Sequence, residues 1–157
     1  MIKKFIKKTL FSSLLDKNSM DKHSFIDLLG IEFVENNDKT VAIGQIKLEE
    51  YHGQVYGNAH GGVIYSLADT VCGYLIWHNA HPGVDLVNTI EMKMNYIAPA
   101  PIGGMIQAIA NLKHFGRTTA VATVDVFYKK QEDDVENKKL VATGVATFTK
   151  IKKDSTS

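Results

Sequence analysis

Asp69 follows His60-Gly61-Gly62 by less than three helical turns, in the longest helix-like stretch of the chain, His60 to Asn79. An ionised aspartate can serve as a nucleophile or as a general base for water. The amides that open a helix have no partner within it and carry partial positive charge, so they can polarise a carbonyl or hold an oxyanion, and glycines there allow close approach. Nine residues separate His60 from Asp69, about 13.5 Å along a helix, whereas catalytic contacts act within about 3 Å. Both cannot touch one carbonyl from the same helix. If they serve one reaction, Asp69 must come from a neighbouring subunit whose helix packs alongside, with two equivalent sites at a two-fold interface. Gly62, Ser66, Asp69 and Gly73 fall within an arc of about 60°, a stripe of small residues that suits such a neighbour. A histidine at a helix start is more commonly a cap, and an isolated helical aspartate more commonly a solvated acid. The glycines sharing the stripe, which weaken a helix by about 1 kcal/mol each, argue for a function.

The other elements must position these groups. Asp21 can cap a short helix through Leu29, and Gly30 can end it. Ile31 to Val34 and Thr40 to Leu48 read as strands around the turn Asn36-Asn37-Asp38, and Glu49 to Ala59 reads as a loop. In the long helix, Val63, Ile64, Leu67, Ala68, Val71, Cys72 and Leu75 share one broad apolar face. Four strand-like runs follow: Asp85 to Ile97, Gly104 to Phe115, Thr118 to Lys130 and Lys139 to Lys150. In the first, Ile90, Met92, Met94 and Tyr96 alternate with Thr89, Glu91, Lys93 and Asn95, the period of a half-buried strand. Gly116-Arg117 and Glu132 to Asn137 read as hairpin connections. Short returns predict that the four strands are antiparallel neighbours. A curved antiparallel sheet wrapped around one helix covers the apolar faces most economically, which is the α+β arrangement of the hotdog fold.

The chain's 157 residues predict one domain over residues 21–152, with an arm or helix at 1–20 and a short tail at 153–157. Eighteen Lys and Arg against seventeen Asp and Glu leave a formal charge of +1, too weak a field to grip a nucleic acid. The single cysteine, Cys72, excludes an intramolecular disulfide and any multi-cysteine zinc site, so the cytoplasm is the expected compartment. No apolar run approaches the roughly 20 residues of a membrane span. Lys3, Lys4, Lys7 and Lys8 among apolar residues would allow a surface amphipathic helix rather than stable insertion. His78 and His81 lack a companion acid or cysteine at metal-ligand spacing, and Cys72 lacks a base, which favours a core thiol.

Gly57-Asn58-Ala59-His60-Gly61-Gly62-Val63-Ile64-Tyr65-Ser66-Leu67-Ala68-Asp69, together with Asn95-Tyr96-Ile97-Ala98-Pro99-Ala100 and Gly116-Arg117-Thr118, resembles the pattern of hotdog acyl-CoA thioesterases of the phenylacetate-pathway (PaaI-like) type, within the 4-hydroxybenzoyl-CoA thioesterase superfamily. The resemblance covers about residues 24 to 150. It implies Asp69 as the catalytic carboxylate, Gly61 as the carbonyl-polarising amide, His60 as a supporting histidine, Gln54 as the residue that positions thioester or water, and Thr89 as a hydroxyl helping to hold the water. It further implies substrate contacts from Gly62, Asn58, Ser66 and, for a CoA phosphate, Arg117. Relatives of this type more often carry Asn where Gln54 stands, which leaves aryl and medium-chain substrates both open. The implied enzyme needs no cofactor beyond the CoA of its acyl-CoA substrate, and works as a homodimer or a dimer of dimers. A non-catalytic acyl-CoA-binding protein and a hotdog hydratase or dehydratase are the alternatives.

Overall fold

A computed structural model describes residues 24–80, 86–131 and 137–151. The expected arm and tail, the proposed cap Asp21, His81 and most of the Glu132–Asn137 connection lie outside the described residues. Helix α1, Phe25–Leu28, is capped by Ser24, whose hydroxyl accepts the Asp27 amide at 3.2 Å. The predicted start at Asp21 is thus corrected to a serine nearer the helix. Gly30 ends the turn at φ 63°, a conformation that a side chain disfavours. Strand β1 (Glu32–Val34) pairs with β2 (Val41–Lys47). Between them Asp38 accepts both the Thr40 amide, at 2.8 Å, and the Thr40 hydroxyl, at 2.7 Å.

Helix α2 spans Gly61–Asn79, and strands β3 (Leu86–Tyr96), β4 (Met105–Phe115), β5 (Thr119–Lys129) and β6 (Lys139–Ile151) follow. All join one antiparallel sheet in the order β1-β2-β4-β5-β6-β3. The sheet with α2 laid on one face is the expected hotdog arrangement. α2 buries Ile64, Leu67, Ala68, Val71, Cys72, Leu75 and Ile76; Val63, expected on that face, is only half-buried. Opposite them the sheet presents small residues, among them Ala108, Ala110, Ala120 and Ala122, all fully buried. Gly44 of β2 makes similar room, since a Cβ there would come within 2.5 Å of Val71.

One expected pairing is wrong. β3 does not lie beside β4: it pairs with β6 at the far edge of the sheet. The chain between β3 and β4 is no tight hairpin, because Pro99 and Pro101 supply no amide for one. It arches over the start of α2, where the Ala100 carbonyl accepts the Ala59 amide at 2.8 Å and the Gly57 carbonyl accepts the Ile102 amide at 3.1 Å. The alternation expected in β3 also breaks. A bulge between Thr89 and Glu91 shifts the register, so Met92 and Met94 stay on the helix side while Ile90 is 57% exposed. Thr89, which unbroken alternation would set opposite Met92 and Met94, lies on the helix side, where its hydroxyl reaches Asp69. No described helix is long and apolar enough to cross a membrane.

The segment Glu49 to Ala59, expected as plain loop, contains a 3₁₀ turn at Glu50–His52. His52 is buried, and its Nδ1 accepts the Glu49 amide at 3.0 Å. Burial disfavours the imidazolium and lowers the His52 pKa, against the opposing pull of the Leu29 carbonyl and the Glu49 charge. The unfolded chain therefore takes up this proton first as pH falls below about 6.5, and the fold loses stability from there until folded His52 itself protonates. Above that range the group contributes nothing. Urea midpoints measured between pH 7 and pH 5 should fall for the native chain and fall less for His52→Asn, which keeps an acceptor near Nδ1 but does not titrate. Equal slopes for the two proteins would contradict this.

Candidate active site

His60 sits just before α2 in an extended conformation, φ −62° and ψ 138°, and its Nδ1 accepts the Gly62 amide at 2.9 Å. The imidazole is therefore an N-cap, supplied by a residue type that rarely leads such caps. Its own amide donates to the His52 carbonyl at 2.8 Å, so the buried 3₁₀ turn anchors the helix start. With Gly62 engaged, the amide of Gly61 has no acceptor among the described residues, as expected of a first helical position.

Gly61 lines a cleft of about 390 Å³ together with Gln54, Asn58, Ile64 and Tyr96. Gln54 and Asn58 reach it through a miniature hairpin that the sequence reading treated as loop. The Gln54 amide donates to the Asn58 carbonyl at 2.8 Å, and the Gly57 amide returns to the Gln54 carbonyl at 3.0 Å. Gly57 closes the turn at φ 74°. The Asn58 side chain donates to the Tyr56 carbonyl at 3.2 Å, which braces the turn. Thus three of the expected residues, Gln54, Asn58 and Gly61, come together. His60, Gly62, Ser66, Asp69, Thr89 and Arg117 are not among the lining residues.

Asp69 lies two turns further along α2, half-buried, and its Oδ1 accepts the Thr89 hydroxyl at 2.8 Å. The bulge in β3 makes this contact, and it orients the carboxylate while leaving the second oxygen without a protein donor among the described residues. Eight residues of helix put Asp69 about 12 Å from Gly61. Ser66 is half-buried in the turn between. The small-residue stripe only partly faces away from its own chain: at Gly73 a Cβ would stand 3.5 Å from the Phe148 ring of β6. One turn beyond Asp69, Cys72 is fully buried, and burial, with the Asp69 charge second, pushes its thiol up to about 12. That thiol stays protonated and unreactive.

Arg117 is exposed in the turn between β4 and β5. It belongs to the opposite end of the sheet from Gly61, beside the end of β6, where the Thr118 carbonyl accepts the Lys150 amide at 2.8 Å. Lys150 is buried there, donating to the Gly116 carbonyl with its ammonium 3.5 Å from the Phe115 ring centre. Burial lowers its pKa. Within one protomer Arg117 therefore cannot serve the cleft at Gly61. No group of three or more His, Cys, Asp or Glu side chains that could hold a metal occurs among the described residues.

Two tyrosine hydroxyls tie α2 to β3 by contacts that the sequence does not show. The Tyr65 hydroxyl donates to the Met92 carbonyl at 3.1 Å, and the Tyr96 hydroxyl donates to the Gly61 carbonyl at 3.0 Å. His52 was also missed, although Glu49 followed three residues later by a side chain able to bond back is the spacing of a capping box. β3 has no strand on its outer side among the described residues. An 11-residue edge with exposed Ile90 and Tyr96 demands a cover.

The model of the Thioesterase superfamily matches residues 56–134, a span that takes in His60, Asp69, Thr89 and Arg117. The chain is 34% identical to ComA2 of Bacillus subtilis over 116 residues, covering 71% of this chain and 86% of that one. It is 33% identical to acyl-coenzyme A thioesterase 13 of Mus musculus over 89 residues, 55% of this chain, and this match spans only 61% of the mouse protein. The PaaI protein of Escherichia coli, from the phenylacetic acid degradation operon, has the same fold, with a TM-score of 0.70 over 83% of this chain and 86% of that one at 20% identity. A hotdog sheet, a glycine-opened central helix and these matches together place the chain in the Thioesterase superfamily.

Proposed function

We propose that the protein hydrolyses the thioester of aryl- or medium-chain acyl-CoA at two equivalent sites of a homodimer. Each site combines the Gly61 end of one protomer's α2 with the partner's Asp69. The observation that carries this reading is the division of labour along α2: a free amide at its tip, a carboxylate fixed by Thr89 about 12 Å away, and beside both a sheet edge with no outer strand among the described residues, on which a second copy can dock. The mouse relative's name supplies the acyl-CoA class.

In this mechanism the thioester carbonyl enters the cleft with its oxygen on the Gly61 amide, where the helix end favours negative charge. Gln54 orients the carbonyl or the attacking water. Asp69 either removes a proton from that water or attacks the carbonyl carbon itself, and in both cases a tetrahedral oxyanion forms against Gly61. Collapse breaks the C–S bond and releases CoA as a thiolate. With a thiol pKa of about 8.5 the leaving group needs little acid assistance, so no general acid is required. Where Asp69 is the nucleophile, water then cleaves the resulting anhydride. Thr89 keeps the carboxylate aimed, and the partner's Arg117, carried to this end by the two-fold, contacts a phosphate of CoA. Pairing of two such dimers extends the assembly to a tetramer.

Thiol release from a panel of short, medium, long and aromatic acyl-CoAs tests the reading. Asp69→Asn should lose about 10²- to 10⁴-fold in kcat, the range for a general base. Gly61→Pro deletes the amide at a position where proline fits a helix start, after a His60 already extended, and should lose about 10²- to 10³-fold. Both variants should keep the oligomer. Unaltered turnover in Asp69→Asn, or tight binding of every acyl-CoA by the native protein with no hydrolysis, would contradict the proposal.

A further inference from the structure

The first turn of α2 opens on two glycines. Gly61 and Gly62 have no side chains to pack and each weakens a helix by about 1 kcal/mol, yet the Gly61 amide must point into the cleft. His60 secures Gly62 through its ring, and its carbonyl accepts the Val63 amide at 2.9 Å and the Ile64 amide at 3.4 Å, which leaves the Gly61 carbonyl open to a further donor from outside the helix. Tyr96, at the last position of β3, supplies a contact from outside. Its hydroxyl donates to the Gly61 carbonyl at 3.0 Å. Its ring lies along Gly61 so closely that a Cβ there would meet the ring at 3.4 Å. Tyr96 lines the cleft together with Gln54 and Asn58. Burial, with Tyr65 second, raises the Tyr96 pKa, so the hydroxyl keeps its proton and remains a donor at any physiological pH.

We propose that Tyr96 is a positioning residue of the thioester site: its hydroxyl and ring hold the Gly61 peptide so that the neighbouring amide meets the thioester oxygen. This rests on the reading of Gly61 and Asp69 given above. Tyr96 does no chemistry itself. It acts through Gly61, and a displaced catalytic group of this kind can cost up to about 10²-fold for 1 Å. The tyrosine also explains how a helix can open with two glycines and still present one fixed donor.

Tyr96→Phe keeps the ring and removes only the hydroxyl. Steady-state kinetics on the acyl-CoA turned over fastest by the native protein should show kcat lower by about tenfold with KM within twofold. Amide hydrogen exchange at Gly62, whose amide is held by His60, should speed up while exchange at the buried residues of α2 stays as in the native protein. A kcat within twofold of native overturns the proposal, whatever the exchange shows. So does a rise in KM at constant kcat, which would make Tyr96 a substrate contact. Asp69→Asn measured alongside separates the two levels: an inactive Asp69→Asn with a fully active Tyr96→Phe removes only the role of Tyr96, whereas an active Asp69→Asn removes the site reading and the Tyr96 proposal with it.

Discussion

A straight helix cannot bend its own middle back to its tip. α2 rises about 1.5 Å per residue, so the Gly61 amide and the Asp69 carboxylate stand about 12 Å apart in every state in which the helix exists. The rest of the architecture answers this constraint. The alanine-lined sheet clamps α2 from one side, and strand β3 fixes it from the flank at three points, through Thr89 to Asp69, Tyr65 to Met92 and Tyr96 to Gly61. The strand that touches both candidate groups is also, among the described residues, an edge of the sheet.

Under the proposed function, activity and assembly are linked in one element. An edge strand with exposed apolar residues is a liability in a monomer, but it is the natural seam for a second copy related by a two-fold, whose helix would then run alongside in the opposite sense. Under that symmetry the 12 Å separation ceases to be an obstacle, because the tip of one helix meets the middle of the other. Under the proposed two-fold, the separation between Arg117 and the cleft within one chain would be bridged by the same operation.

Much of this was legible in the sequence. The helix over residues 61–79 and the four long strands follow from periodicity and from the glycines and prolines that punctuate them, and His60-Gly61-Gly62 with Asp69 stood out by residue type and spacing. What could not be read depends on long-range pairing. β3 was expected beside β4 because it precedes β4, yet the proline arch carries β4 across to β2, and no local signal says which edge a strand takes. The bulge after Thr89 costs one residue of register, invisible in an alternation that otherwise looks regular. Ser24 caps the first described helix through the Asp27 amide, a contact that residue type alone did not single out. Tyr96 was read as one apolar residue of an alternating strand, and its role emerges only once that strand lies across the glycines of α2.

The central claim is that each site is shared between two protomers, and mixed dimers test it most directly. Asp69→Asn and Gly61→Pro subunits are each inactive as homodimers under this account. Combined in one dimer, they leave one site with both defects and the other with an intact Asp69 facing an intact Gly61. Purified mixed dimers should therefore recover about half of the native kcat, one working site of two. Mixed dimers as inactive as either parent would show that the aspartate and the amide act within a single chain, and the account would fail.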